Sequence, residues 1–90
     1  MLDELKQNLQ ITWDDEEIKQ KLEKSLSSGK EYLNYIAGVE IDFDNSPFAK
    51  NLLLEYGRYS YNNAVEYFET NFQKELTHLQ IMNVVKKDVQ

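Results

Sequence analysis

The stretch Ser46–Glu69, SPFAKNLLLEYGRYSYNNAVEYFE, decides how the chain folds. Ser46 followed by Pro47 reads as a helix start. Serine is a favoured N-cap, and proline at the first helical position loses no intrahelical hydrogen bond because that N–H has no partner there. At about 100° per residue, Phe48, Ala49, Leu52, Leu53, Tyr56 and Tyr59 fall on one side of the helix that follows. Leu54, Tyr61, Val65 and Phe68, at steps of seven, four and three, trace a second stripe on roughly the opposite side. Only a wedge of Asn51, Glu55, Arg58, Asn62, Glu66 and Glu69 is left for water, and Glu55 can pair with Arg58 within it. The pattern therefore predicts a helix from Pro47 to about Glu69 that is apolar twice. Such a helix is normally buried between layers. Either it is a central rod with a second helix on one side and the first and fourth on the other, or one stripe is left for another subunit as an exposed aromatic patch. The pattern leaves both open.

Upstream, Asp14 is placed to cap a second helix, with Glu17 three residues on and Trp13 and Ile18 in the positions of a hydrophobic staple. Ile18, Leu22, Leu26, Gly29, Leu33 and Ile36 then form one stripe, with Ser25 and Tyr32 on the same side and Gln20, Glu23, Lys24, Lys30, Glu31 and Asn34 on the back. Gly29 either bends this helix or admits a close neighbour. Ala37-Gly38 supplies its stop. Leu2, Leu5 and Leu9 predict a short first helix that acts as a lid. Val39–Phe43 alternates apolar and acidic residues, as an extended segment packed on one side does. Downstream, Thr70 with Gln73 is expected to cap a fourth helix that shares Phe72, Leu76 and Leu79 on one face, and the tail beyond Val85 is expected to fray. The fold class expected is all-α: a single domain, residues 1–90, built as a bundle of about four helices with a short extended segment between helices 2 and 3.

Composition narrows the function. Ninety residues suffice for one core of narrow stability margin, to which partners would add. With no cysteine there is no disulfide framework, which suits a reducing cytoplasm; the N-terminus lacks an apolar leader and no stretch is long enough to span a membrane, so a soluble, unprocessed chain is expected. Sixteen acidic against ten basic residues give a net charge of −6, which repels a phosphate backbone. A helix-turn-helix reader would need a basic recognition helix, whereas the third helix holds only Lys50 and Arg58. His78 is the sole histidine and reads as a surface residue, with nothing beside it from which to build a triad or a zinc site. Asp42-x-Asp44-x-Ser46 has the start of a calcium loop, but Pro47 stands where glycine is needed and Leu53 where a bidentate glutamate is needed. The three glycines are isolated, so no phosphate loop exists. No catalytic residue, metal or cofactor is expected, and the chain is read as a non-enzyme.

The run FAKNLLLEYGRYSYNNAVEYFETNFQKELTHLQ, preceded by ITWDDEE and GKEYLNYIAG, resembles the small head-tail connector proteins of tailed bacteriophages and prophages. The likeness extends from Leu2 to about Val84, and its most characteristic parts are Ile11–Asp15, Arg58-Tyr59-x-Tyr61-Asn62-Asn63, and Glu66–Glu69 followed by Asn71-Phe72. The resemblance implies a helical structural protein of the virion, made in the bacterial host cytoplasm. It would assemble as a homo-oligomeric ring under the portal protein and present a surface to the next head-completion or tail protein. DNA would pass through the ring without sequence-specific binding, no membrane would be involved, and the isolated chain could remain monomeric. A ring needs two different patches per subunit. The interface candidates are Tyr35, alone on the polar side of the second helix, and Leu54, Arg58, Tyr61, Val65 and Phe68 of the third. Their competing reading is packing within the chain, and a different class of function, a small intracellular adaptor or regulatory module binding another protein through an apolar aromatic patch, fits the same pattern.

Overall fold

In a computed structural model, which describes residues 2–10 and 15–89, with side chains through Met82, the chain runs through five α-helices. These are α1 (Leu2–Asn8), α2 (Glu16–Ala37), α3 (Pro47–Tyr61), α4 (Phe68–Asn71) and α5 (Gln73–Val89), with single 3-10 turns at Phe43–Asn45 and Val65–Tyr67. No strand occurs among the described residues, and the all-α class expected from the sequence is the class observed.

The N-cap of α2 is Asp15, one residue later than expected. Asp15 is extended (φ −134°, ψ 120°) and its carboxylate accepts from the amides of Glu17 at 2.8 Å and Ile18 at 3.3 Å, satisfying two donors that the first helical turn cannot. Trp13 and Asp14, and with them the expected staple, lie outside the described residues. The apolar stripe of α2 is buried as its spacing requires, with Leu22, Ser25, Leu26, Gly29, Leu33 and Ala37 inside. Gly38 closes the helix in the left-handed conformation at φ +73°, its amide donating to the carbonyl of Asn34. The segment after it keeps the predicted alternation without becoming a strand. Val39 and Ile41 are half-buried and Phe43 buried, Glu40 and Asp42 face water, and the amide of Ile41 donates to Asn34 Oδ1 at 2.9 Å.

Ser46 occupies the N-cap position of α3 and Pro47 its first turn, although the serine hydroxyl makes no capping bond. The main correction lies at the other end. The helix stops at Tyr61 instead of continuing to about Glu69, because Asn62-Asn63 turns it off. Asn63 takes φ +56° and donates its amide to Ser60 O, while Ala64 reaches back to Tyr59 O at 2.8 Å. These two bonds form a Schellman stop, and asparagine is the residue after glycine that best tolerates its left-handed position. Asn62 adds a side-chain bond from Nδ2 to Arg58 O at 2.9 Å. Thr70 does not cap the last long helix. It lies inside the short α4, and the chain bends at Phe72, whose amide still donates to Phe68 O, before α5 begins at Gln73. α5 then runs to Val89, past Val85 where fraying was expected; neither glycine nor proline follows Gly57 to end it.

α3 packs against α2 and α1, but the last long helix, α5, lies mainly on α2, so the expected rod is met on the α1 and α2 sides only. Two glycines allow close packing on α3: a methyl group at Gly29 of α2 would stand 2.7 Å from Leu53 Cδ1 and 2.8 Å from Tyr56 Cδ1, and one at Gly57 of α3 would stand 2.9 Å from Leu5 Cδ2 of α1. Gly29 is thus a point of close approach, which settles the choice left open above. Leu5, fully buried, seats α1 on Gly57, and Glu4 of α1 pairs with Lys50 of α3 at 2.9 Å. Lys50 and Gly57 therefore turn toward α1, and Leu54, between them on the same stripe, is buried. Ser25 Oγ and Ser60 Oγ share a hydrogen bond of 2.9 Å across the α2–α3 contact, so each hydroxyl has a partner there. On the remaining side, Phe68 leaves 1% of its surface exposed and meets the ring edges of Tyr56 and Tyr59 at 5.3 and 5.7 Å. Burial of a ring of this size contributes roughly 2–3 kcal/mol, with a further increment for each edge-to-face contact.

Replacing Gly29 by alanine gains helix propensity worth about 1 kcal/mol but drives a methyl into the Tyr56 ring, which its neighbours hold in place; overpacking of this kind costs about 1–3 kcal/mol. The expected net result in urea denaturation is destabilisation for Gly29→Ala. Gly57→Ala meets only the ends of the Leu5 and Leu26 side chains, which can shift, and should lose less.

Candidate functional site

The structure divides the six candidate interface residues instead of gathering them. Leu54 and Phe68 belong to the chain's own core, so neither is an exposed contact in this fold. The stripe that linked them on paper is broken because the helix ends at Tyr61 and the chain turns Phe68 inward. The other four lie at the surface to different degrees. Tyr35 is 83% exposed on the back of α2, Val65 lies exposed in the 3-10 turn, and Tyr61 is half-buried with the Lys21 ammonium 4.9 Å from its ring centre. Arg58 stands in the predicted solvent wedge, its Nη2 3.4 Å from Glu55 Oε2, the pairing that the i,i+3 spacing foretold. Three exposed apolar side chains were not singled out from the sequence: Tyr67 beside Val65, and Ile81 and Met82 on α5. A helix wheel could have placed the last two, but Tyr67 becomes visible only once the 3-10 turn is known.

Two arrangements at the inner and outer faces of the aromatic layer were also missed. The first is internal. Tyr32, Tyr56, Tyr59, Phe68 and Phe72 form one connected set of rings, with Tyr32 stacked on Tyr56 at 5.5 Å and Phe68 on Phe72 at 4.8 Å. The Tyr32 hydroxyl oxygen is buried there with no hydrogen-bond partner. Burial, then the negative charge of Glu69, then Tyr56 push its pKa above the ordinary tyrosine value. The second is an open cleft of about 220 Å³ lined by Arg58, Tyr59, Asn62 and Ala64, formed where the helix stop bends the chain away from α3. Elsewhere, the hydrogen bond from Lys50 is the largest influence on Glu4 and holds its carboxyl below the usual range. His78 lies on the surface with its ring edge-on to Phe48 at 5.0 Å. Among the described residues no group of three or more His, Cys, Asp or Glu side chains could hold a metal ion, and no helix is long and apolar enough to cross a membrane.

Comparison with protein families, with curated proteins and with solved structures finds no match to this chain.

The buried hydroxyl makes a sharp prediction. Tyr32→Phe keeps the ring contacts and removes an unpaired polar atom, so stability at neutral pH should rise by about 1 kcal/mol. Because folding raises the Tyr32 pKa above 10.0, the unfolded chain loses that proton first as pH climbs. The contribution is present below the unfolded value and is lost as pH rises through the folded one. Chemical denaturation below and above the ordinary tyrosine pKa should therefore show a smaller alkaline loss in Tyr32→Phe than in the parent.

Proposed function

We propose that this protein is a structural, non-catalytic component of a phage or prophage virion, a head-tail connector that packs as a ring beneath the portal. The resemblance of Leu2 to Val84 to that family supports this reading, and so does the all-helical fold. The observation that carries it furthest is the placement of exposed apolar side chains on three separate elements: Tyr35 on α2, Val65 and Tyr67 in the 3-10 turn, and Ile81 and Met82 on α5. A heterologous, ring-closing contact needs two unlike patches on each subunit, and a chain with its apolar surface in one place could supply only one. The net charge of −6 is compatible with a conduit through which DNA must slide without being held.

The surface residues give the test. Tyr35→Asp alters no core contact, so the variant should match the parent in circular dichroism and melting. Mixed with a cognate portal protein, the parent should form rings visible by electron microscopy and the variant should not. Phe68→Asp cannot serve this purpose, because a carboxylate in that buried site should cost more than about 3 kcal/mol and unfold the chain. Normal joining of heads to tails in the absence of the gene would overturn the proposal.

A further inference from the structure

α1 rests on α2 and α3 and meets α3 at two fixed points. Leu5, fully buried, fills the notch left by Gly57: a methyl group at that glycine would stand 2.9 and 3.2 Å from the two Cδ atoms of Leu5. About two turns earlier on α3, Lys50 Nζ lies 2.9 Å from Glu4 Oε2. Leu2 and Leu9, half-buried, pack against the same core. The groove on α3 is thus complementary, in shape and in charge, to a segment that every copy of the chain carries. A seven-residue helix has no stability of its own in water, so α1 is helical only where it is docked, on its own α3 or on another.

What separates those two placements is the turn that leads out of α1. The amide of Leu9 donates to Leu5 O at 3.0 Å and that of Gln10 to Gln7 O at 3.1 Å, which holds Gln10 at φ +60°. Among the described residues three take positive φ. Gly38 after α2 and Asn63 after α3 are residue types that accept it, whereas glutamine is not. Only residues 11–14 separate Gln10 from the Asp15 cap of α2. A short connection that begins on a strained residue favours exchange between copies, because opening it relieves the strain while every docked contact is kept. From this we infer that α1 is an exchangeable arm, which seats Leu5 and Glu4 on Gly57 and Lys50 of a second copy of this chain and so joins the two. Docking on its own α3 competes at an effective concentration on the order of millimolar, so exchange grows as the protein approaches that concentration. The inference does not rest on the connector reading.

The Glu4–Lys50 pair is its own probe, since a zero-length carbodiimide joins a paired carboxylate and ammonium as an amide. Equal amounts of ¹⁵N-labelled and unlabelled intact chain are unfolded together, refolded at about 10 µM to about 1 mM, cross-linked and digested. Mass spectrometry then reads whether the Glu4–Lys50 peptide carries one isotope or both. The mixed peptide should be scarce at the lower concentration and make up about a tenth or more of that link at the upper. Gln10→Gly relieves the turn and should reduce the mixed share about fivefold. Leu5→Ala, checked for its fold by circular dichroism, should reduce the mixed link at least about tenfold relative to collisional links between other lysines and carboxylates. Absence of the mixed peptide at about 1 mM overturns the inference, whatever other links form. So does a mixed peptide whose yield Leu5→Ala leaves unchanged, because the link would then report collision and not docking.

Discussion

The close packing of α2 on α3 at Gly29 is the contact on which the other elements depend. With no side chain there, Leu53 and the ring of Tyr56 come within what would be clashing distance of a methyl group. That closeness aligns Ser25 with Ser60 and sets the inward-facing row of α3. A 90-residue chain has little apolar surface to waste, and α3 is placed to bury its apolar residues against α2, α1 and the turns that flank it. Gly57 repeats the device toward the N-terminus, where Leu5 of a seven-residue helix fills the space a side chain would take. A helix that short has no stability of its own in water and is held by this seat and by the Glu4–Lys50 pair.

Much of this was legible in the sequence because it is periodic. The α2 stripe, the Gly38 stop, the Pro47 start, the Glu55–Arg58 pair and the one-sided packing of Val39–Phe43 all follow from spacing and local residue chemistry. Of the second stripe of α3, Leu54 is buried within the chain and Tyr61 half-buried, while the last long helix, expected on the far side of the rod, lies on α2. The misreading of residues 62–69 has a specific cause. Val65 and Phe68 continue the apolar period of α3 by coincidence, and periodicity alone cannot distinguish a continued helix from a turn that happens to return apolar residues to the core. The local signal was the Asn62-Asn63 pair, whose weak helix propensity and tolerance of positive φ outweigh the period. The cap of α2 differs by one residue for a similar reason. Asp14 and Asp15 are both competent caps, and only backbone geometry selects between them.

The candidate site was less legible than the fold. Tyr35 could be found because an aromatic residue on a polar helix face is conspicuous. The cleft lined by Arg58, Tyr59, Asn62 and Ala64 could not, since it brings together residues on both sides of the turn at Asn62-Asn63. The buried Tyr32 hydroxyl was likewise invisible: its spacing placed it on the core side of α2 correctly, but nothing in the pattern says whether its oxygen finds a partner.

The six tyrosines of the chain divide by this logic into different tasks. Tyr32, Tyr56 and Tyr59 surround Phe68 and serve the core, Tyr61 is partly covered beside Lys21, and Tyr35 and Tyr67 stand out in water. An aromatic side chain left exposed on a chain with so few apolar residues to spare adds nothing to folding. Tyrosine is also the residue that contributes large contact area at low entropic cost when two proteins meet. On the proposed reading, each subunit contact would rest on one or two such anchors and would be weak alone. A closed ring overcomes that weakness because every subunit is held at two contacts at once, so that losing one leaves the other to re-form it. Assembly would then depend on a template that brings the subunits together, and sparse anchors on an otherwise polar, acidic surface are consistent with a chain that stays apart until one is met.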